Sequence, residues 1–451
     1  MPNTTAISAP GKVLLAGGFL VLDRQHTGLV FGLSARINVI AQEIKTSEGV
    51  QLSEIVVESP QFLEAQWRYG YHLAPEDGGI KLTQLQVGSN INPNHFVEVT
   101  LAYALTYIQT VGHAASSYTF KPVQLIILAD NDYYSQSHSH HHHHQHHSHS
   151  GAAGRFAKFP TKLKDAHKTG LGSSAALVTA LTAALLTHYL PKSAFDVDSA
   201  EGKRTLHNLA QAAHSAAQGK VGSGFDVAAA VYGSCVYRRF SPSLLRDVPE
   251  IGAPGFAPAL AACVAREWDA EFRKDNARIP PGVTLRMCDV DCGSQTVGMV
   301  KQVLKWRDQT DPAGAKTLWG NLQARNEALG AALSSDRKDE IRKAVEEIRV
   351  LVREMSAASG VPIEPESQTA LLDALARVEG VYEGVAPGAG GYDALALLVR
   401  DDGETEDRIR EFLKGWSQEK GVKVKLLGVK GEMEGVKREG LEQYNGWLGL
   451  V

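Results

Sequence analysis

Apolar positions are distributed in two different styles along this chain. In the first half, short apolar runs are punctuated by glycine. Val13–Ala16, Phe19–Leu22 and Ile37–Ala41 predict strands of a hairpin-rich sheet, with Ile55–Glu58 and Phe62–Tyr71 as further strands. His95–Gln109 carries Phe96, Val99, Ala102, Tyr103 and Tyr107 at helical spacing. Val123–Leu128 is an unbroken apolar run of the kind a buried strand requires, and Asp130–Tyr134 follows it. Ala175–Leu190, Leu206–Ala217 and Phe225–Tyr232 predict helices. In the second half, Val283–Asp289 predicts a strand and Gly293–Trp306 opens like a capped helix. Thr317–Ser334 and Arg337–Gly360 predict long amphipathic helices rich in Ala, Glu and Arg, the second ended by the Pro-bearing stretch after Gly360. Ser367–Val378 predicts a helix, Gly380–Ala386 and Ala394–Arg400 strands, Asp407–Lys420 a helix and Val422–Val429 a last strand. The style changes near residue 240, where Ser241-Pro242 and the Gly/Pro-rich Pro249–Pro258 follow. The expectation is an α+β protein of two units, 1–240 and 241–451, without internal repeats.

Charge narrows the partners. The chain of 451 residues has 46 Lys+Arg against 50 Asp+Glu, a formal net charge of −4, which argues against non-specific binding to nucleic acid or to a membrane surface. No apolar stretch reaches the ~18 residues of a membrane span, and the first ten residues lack a basic segment followed by an apolar run. The last three, Gly-Leu-Val, are no targeting tripeptide, and the expected location is cytoplasmic. Cys235, Cys263, Cys288 and Cys292 read as reduced thiols: Cys288 and Cys292 form C-x3-C, but no second pair completes a zinc site. Nine of the 17 histidines fall in His138–His149, within an insertion spanning about 135–155; the expectation is a solvated loop with incidental metal binding. No obligate protein partner is inferred.

Four short segments carry candidate chemistry. In the first, Lys168, Thr169, Gly170, Leu171, Gly172, Ser173, Ser174, Ala175 and Ala176 set a Gly-rich loop at a helix start. Free N–H groups and the helix dipole suit phosphate oxygens there, and serine hydroxyls add donors or hold Mg2+. The sequence is neither a Walker A loop nor G-x-G-x-x-G, and a capped structural helix with Ser173 as N-cap is the rival. In the second, Lys12 sits between Gly11 and an apolar strand, where an ammonium either snorkels to water or meets an anion. In the third, Gly222-Ser223-Gly224 leads to Asp226 at the start of an apolar helix; Asp226 either satisfies helix N–H groups or steers an acceptor hydroxyl. In the fourth, Pro387, Gly388, Ala389, Gly390 and Gly391 make a loop whose backbone can lie against a substrate.

In this order, the Pro-Gly-Lys segment ending at Lys12, the Gly-Leu-Gly-Ser-Ser-Ala loop at Gly170–Ala175 and the Gly-Ala-Gly-Gly loop at Gly388–Gly391 resemble the GHMP kinase superfamily over nearly the whole chain. Where mevalonate kinases and galactokinases carry Gly-Glu-His after the first strand, this chain has Gly17-Gly18-Phe19-Leu20. That run, together with Gly32–Arg36, Gln218–Asp226 and Pro387–Ala394, is similar to the phosphomevalonate kinases of eukaryotic type. The resemblance implies an N-terminal domain like ribosomal protein S5 domain 2 and a C-terminal ferredoxin-like domain. It implies transfer of the γ-phosphoryl of ATP to 5-phosphomevalonate, giving the diphosphate and ADP in the isoprenoid and sterol route. ATP and Mg2+ would lie over Lys168–Ala176, with Ser174 on the metal. Lys12 and Asp226 would be catalytic, and Gly17, Gly18, Ser223, Gly224, Gly388, Ala389 and Gly390 would line the acceptor. For the acceptor's carboxylate, Lys220 is the first candidate, then Arg36 and Lys168, with Arg238 and Arg239 behind them.

One departure stands out. Mevalonate-kinase relatives place a Mg2+-holding Glu about eleven residues before the catalytic Asp; here the region reads His214-Ser-Ala-Ala-Gln218. Competing readings are another superfamily member such as mevalonate kinase, the related decarboxylase that releases CO2, and a catalytically silent sensor of ATP and metabolite.

Overall fold

The computed structural model describes residues 3–50, 53–85, 93–112, 120–135, 154–291 and 298–448. Its strands in chain order are β1 (Thr4–Ala16), β2 (Gly28–Glu43), β3 (Ile55–Glu58), β4 (Gln66–Leu73), β5 (Ile80–Gln84), β6 (Val123–Ala129), β7 (Tyr134–Ser135), β8 (His167–Lys168), β9 (Cys235–Arg238), β10 (Glu271–Arg273), β11 (Val283–Asp291), β12 (Val381–Val385), β13 (Ala394–Arg400), β14 (Lys423–Glu432) and β15 (Lys437–Arg438). The helices are α1 (His95–Gly112), α2 (Ser173–Tyr189), α3 (Ala200–Gln218), α4 (Phe225–Tyr232), α5 (Phe256–Ala265), α6 (Met299–Lys305), α7 (Pro312–Ser334), α8 (Lys338–Ser359), α9 (Glu366–Leu375) and α10 (Gly403–Lys420).

β2 organises the molecule. Its start pairs with β9, its length with β1, its end with β6, and Gly32 and Leu33 with the tip of β14. One sheet therefore runs β12-β13-β11-β14-β2-β6-β3-β4-β5, antiparallel except where β3 lies parallel to β6. The C-terminal β15 returns to β1 at Ile7 and Ser8. β2 is buried along nearly its whole length, which explains its continuous apolar run rather than an alternating one. α2 is likewise apolar almost all round, as a helix enclosed by β1, β2, α1, α3 and α4 must be. A second, smaller core of Leu371, Leu375, Leu395, Leu397, Ile409 and Leu413 packs α9 and α10 on the C-terminal strands.

Two expectations are corrected. Phe19–Leu22 is no strand: Gly17 at φ +102° and Phe19 at φ 69° turn the chain into a short 3-10 segment, Leu20–Leu22. The strand expected over Phe62–Tyr71 begins only at Gln66, because Phe62 packs inward on Phe159 and Tyr134 from a turn. The Pro249–Pro258 stretch contains the start of α5, entered through Gly255 at φ +80°. The helix start expected at Gly293, Cys292 and the histidine tract lie outside the described residues. No helix among the described residues is long and apolar enough to cross a membrane.

Candidate active site

The sequence Pro10-Gly11-Lys12 breaks the β1–β2 ladder, and the register shifts between Pro10 and Lys12. This bulge frees the Lys12 N–H, which donates to the Leu171 carbonyl at 3.0 Å. A side chain at Gly11 would meet that carbonyl at 2.6 Å and the Tyr133 hydroxyl at 2.8 Å, so only glycine fits the junction. Thr169 ties the other end of the loop, its N–H donating to the Tyr133 carbonyl and its hydroxyl to that of Asp132. The Gly-rich loop is thus clamped to β1 and to the segment after β6 before α2 begins.

α2 is capped by Gly172, not by Ser173, which is its first helical residue. Gly172 is left-handed (φ 78°) and brings no side chain to the first-turn N–H groups, and none of the side-chain hydrogen bonds among the described residues goes to them. That leaves a row of donors at the positive end of a 17-residue helix. The Lys12 side chain runs directly past this end: a Cβ on Gly172 would lie 2.8 Å from Lys12 Cε. Its ammonium stands 5.4 Å from the Phe225 ring centre. Burial pulls the Lys12 pKa below that of a free lysine, and the Asp226 carboxylate opposes the pull.

Asp226 lies in the first turn of α4, its Oδ1 accepting the Val227 N–H at 2.9 Å and its side chain 24% exposed. Between Asp226 and α2 stands a residue that the motifs do not single out as functional. His214 Nε2 is 3.1 Å from the Ser174 hydroxyl and 4.0 Å from Asp226 Oδ2. Gln218, one turn on, donates to Nδ1 at 2.9 Å, which leaves the proton of a neutral ring on Nε2. Burial favours that neutral form. The available signal was positional: His214 and Gln218 sit four apart on α3, in the stretch before Asp226 that was noted for having no carboxylate. The described residues hold no group of three His, Cys, Asp or Glu side chains placed to bind a metal ion. The Ser174 hydroxyl at the free helix end would suit an ion brought in on a phosphate ligand.

A cavity of 280 Å³ opens beside Ser173 and Ser174. Phe62, Trp67, Phe96, Tyr134 and Leu177 give it apolar walls, and Lys164 and Lys168 line it as well. Lys162, paired with Glu64 at 3.1 Å, is another of its lining residues. An aromatic slot continuous with free helix N–H groups suits a nucleoside followed by phosphates. The sequence pattern marked the loop but not the slot, whose walls come from five separate segments.

The remaining predicted residues divide. Gly18 and Gly388 are in contact, since a Cβ on Gly18 would fall 1.9 Å from the Gly388 carbonyl, and the Gly388 N–H donates to Leu14 O at 3.0 Å. Gly17 precedes this contact, and Ala389 and Gly390 follow it around the tight turn closed by Gly390 N–H to Pro387 O. Ser223 and Gly224 lead directly into Asp226, with the Tyr237 hydroxyl donating to Ser223 O at 2.8 Å. Arg36 is elsewhere, which corrects its assignment to the acceptor. All five of its N–H donors are used, on Glu432, Ser8 and the carbonyls of Glu434 and Gly435. It is a buried strut holding the C-terminal segment to β2. Lys220 is exposed and lines a different cleft, with α1, α3 and residues 245–251.

The chain is similar to known proteins in sequence and in fold. The sequence profile described as "GHMP kinases N terminal domain" matches residues 158–234. The chain is 63% identical over 447 residues to a phosphomevalonate kinase of Gibberella zeae, covering 99% of both chains. It is 44% identical over 494 aligned positions to one of Aspergillus fumigatus, again covering 99% of each. Among solved structures, Streptococcus pneumoniae phosphomevalonate kinase in complex with phosphomevalonate and AMPPNP superposes with a TM-score of 0.61 at 16% identity, covering 95% of this chain and 99% of that one.

Proposed function

The chain belongs to the phosphomevalonate kinase family of the GHMP kinases, and from that premise we propose that it phosphorylates (R)-5-phosphomevalonate with ATP, releasing ADP and (R)-5-diphosphomevalonate. The observation that carries the site assignment is the meeting of three groups: the free amino end of α2, the Lys12 ammonium lying along it, and Asp226 across from both. The triphosphate rests over Lys168–Ala176 and the base enters the aromatic slot.

The acceptor is a phosphate monoester with a second pKa of ~6, so at neutral pH it already carries two charges. No strong base is needed to generate the nucleophilic oxygen. The barrier is repulsion between two anionic phosphoryl groups brought in line, so catalysis reduces to positioning and charge stabilisation. Lys12 supplies positive charge between donor and acceptor from a fixed position. Asp226 holds that ammonium in its charged form and in place. The neutral His214 holds the Ser174 hydroxyl toward the phosphates. The Ser174 hydroxyl would hold a Mg2+ ion carried by the nucleotide, and that ion would supply further positive charge at the transferred group. The Gly388–Gly391 turn closes on Gly18 and limits access of water.

Lys12→Met is the direct test. Removal of a preorganised charge at the transferred group lowers kcat by about 10²–10³-fold or more. Because the substitution also removes a buried ammonium, the fold keeps its stability. ADP release is measured with 5-phosphomevalonate and with mevalonate in parallel. Near-normal turnover by the variant refutes the role of Lys12; turnover of mevalonate alone by the native enzyme refutes the acceptor.

A further inference from the structure

Four arginines are buried among the described residues: Arg36, Arg239, Arg286 and Arg349. Three have a carboxylate partner. Arg36 meets Glu432 at 2.7 Å, Arg286 meets Glu406 at 2.9 Å, and Arg349 meets Glu364 at 2.8 Å. Arg239, 7% exposed, has none among the described residues. Its Nη1 donates to the Leu22 carbonyl at 3.0 Å and its Nη2 to the Gly222 carbonyl. Its Nε has no partner. Burial disfavours its charged form, and the neighbouring Arg24 adds repulsion. Its Cζ also lies 5.6 Å from the Phe240 ring centre; a buried guanidinium with two carbonyls and a ring but no carboxylate is a costly arrangement unless an anion completes it.

The two carbonyls identify where that anion would come from. Leu22 ends the turn that begins at Gly17-Gly18, and Gly222 opens the turn that ends at Asp226. Arg239 thus joins the two loops that flank the acceptor under the functional reading above, on which this inference rests. Strand register sets its position along the substrate. Lys12 pairs with Gly32 of β2, while Tyr237, two residues before Arg239, pairs with Gly28. Tyr237 alone is four register positions from Lys12, roughly 13 Å of strand, and Arg239 lies two residues further, so its guanidinium approaches the two loops from the side away from Lys12. The other cations considered for the acceptor's carboxylate are engaged or placed elsewhere, Lys168 among the residues lining the cavity beside Ser173 and Ser174. Arg36 has no free donor. Arg238 is paired with Glu271 at 2.9 Å, and Lys220 lies in another cleft.

We propose that Arg239 is the binding residue for the acceptor's carboxylate, its charge left without a protein carboxylate so that the substrate supplies one. A buried cation without a counter-charge draws an elongated dianion-plus-carboxylate substrate into one orientation, phosphate toward Lys12 and carboxylate toward Arg239. A neutral molecule of the same shape gains nothing from it.

The test uses the full chain and titration calorimetry with three probes: 5-phosphomevalonate, mevalonate, and a non-hydrolysable ATP analogue. Arg239→Met weakens 5-phosphomevalonate binding by at least about 30-fold, the loss typical when one member of a desolvated charge pair is removed. Binding of the ATP analogue stays within about threefold. Mevalonate, which keeps the carboxylate and lacks the phosphate, weakens by a similar factor. Arg239→Lys, which keeps charge but cannot reach both carbonyls, gives a smaller loss confined to the acceptor. It also carries the test should the Met variant not fold. The proposal is overturned if Arg239→Met binds 5-phosphomevalonate as the native enzyme does. It is equally overturned if mevalonate is unaffected while the phosphate ester is lost, which assigns Arg239 to the phosphate. Parallel loss of acceptor and ATP analogue in Arg239→Lys makes the residue a structural strut and nothing more. A native enzyme that does not turn over 5-phosphomevalonate at all would instead refute the functional reading.

Discussion

Gly172→Ala isolates the contact on which the site geometry depends. Two costs can be separated. The first is backbone strain, since Gly172 has φ +78°, and an alanine held in the left-handed region costs roughly 1–2 kcal/mol. The second is local, since the new Cβ would lie 2.8 Å from Lys12 Cε and 2.9 Å from Lys12 Cγ. Carbon atoms in contact sit at about 3.5–4.0 Å, so the lysine side chain must move and its ammonium shifts by about 1 Å. A misplacement of that size costs about 10²-fold in rate. Gly421 provides the control. It has φ +69°, open space out to 4 Å around the position a Cβ would take, and a place at the end of α10. Gly421→Ala therefore carries the strain and not the clash. Urea unfolding of both variants should show similar destabilisation, about 1–2 kcal/mol each. Steady-state turnover at saturating ATP and acceptor should fall about 100-fold for Gly172→Ala and stay within about threefold for Gly421→Ala. Equal kcat values in the two variants would show that Lys12 does not act from the position it occupies against α2.

Two further predictions concern titration. Asp226→Asn removes the group that raises the Lys12 pKa against burial, so the ammonium loses its proton at lower pH. Because the charged form is the active one, the alkaline limb of the residual kcat/KM profile moves to lower pH; a limb that stays where it is in the native enzyme contradicts the coupling. His207 is buried on α3 with its Nε2 unpartnered, and burial brings its pKa down to about 4 from the usual 6.5. The unfolded chain takes up this proton as pH falls through 6.5 and the folded one not until about 4, so stability is lost across that window, by roughly 3 kcal/mol in all. His207→Phe, set among Tyr232, Trp268 and Phe272, should flatten the fall in unfolding free energy between pH 7 and pH 4; an unchanged slope would remove His207 as its source.

Much of this was legible in the sequence where local chemistry decides structure. α4 and β13 begin and end where the pattern places them, because Gly224 and Gly233 bracket one and the apolar run defines the other. The α2 start was legible to within two residues, since glycine and serine mark a helix start whatever lies around it. What failed depends on distant partners. Arg36 looks like a substrate cation until Glu432, nearly four hundred residues away, arrives with β14 to engage it. The first strand was placed at Val13–Ala16, yet β1 begins at Thr4, where serine and proline interrupt the apolar pattern and β2 on one side and β15 on the other hold the chain extended. His214 was visible as a missing carboxylate and not as a group in its own right, since its contacts come from α2 and α4.

That replacement bears on the charge balance of the reaction. Where an alcohol is phosphorylated, the accepting hydroxyl is uncharged, and a carboxylate beside it repels chiefly the donor. Here the accepting group is itself a phosphate dianion. A carboxylate in place of His214 would stand close to both Ser174 and Asp226, and so close to the incoming phosphate. At about 5 Å and an effective dielectric of 20, each like-charge pair costs about 3 kcal/mol. Two charges on the acceptor would double that, against a site whose positive side consists of Lys12 and a helix end. A neutral imidazole with its proton on Nε2 keeps the hydrogen bond to the Ser174 hydroxyl and adds no repulsion. The same reasoning accounts for Asp226 standing beside Lys12 rather than alone: its charge is largely matched by the ammonium it sustains, so the pair presents little net charge to the acceptor. The site is thus poor in carboxylates for a physical reason, and the cations that remain without an acidic partner are the ones a doubly anionic substrate can claim.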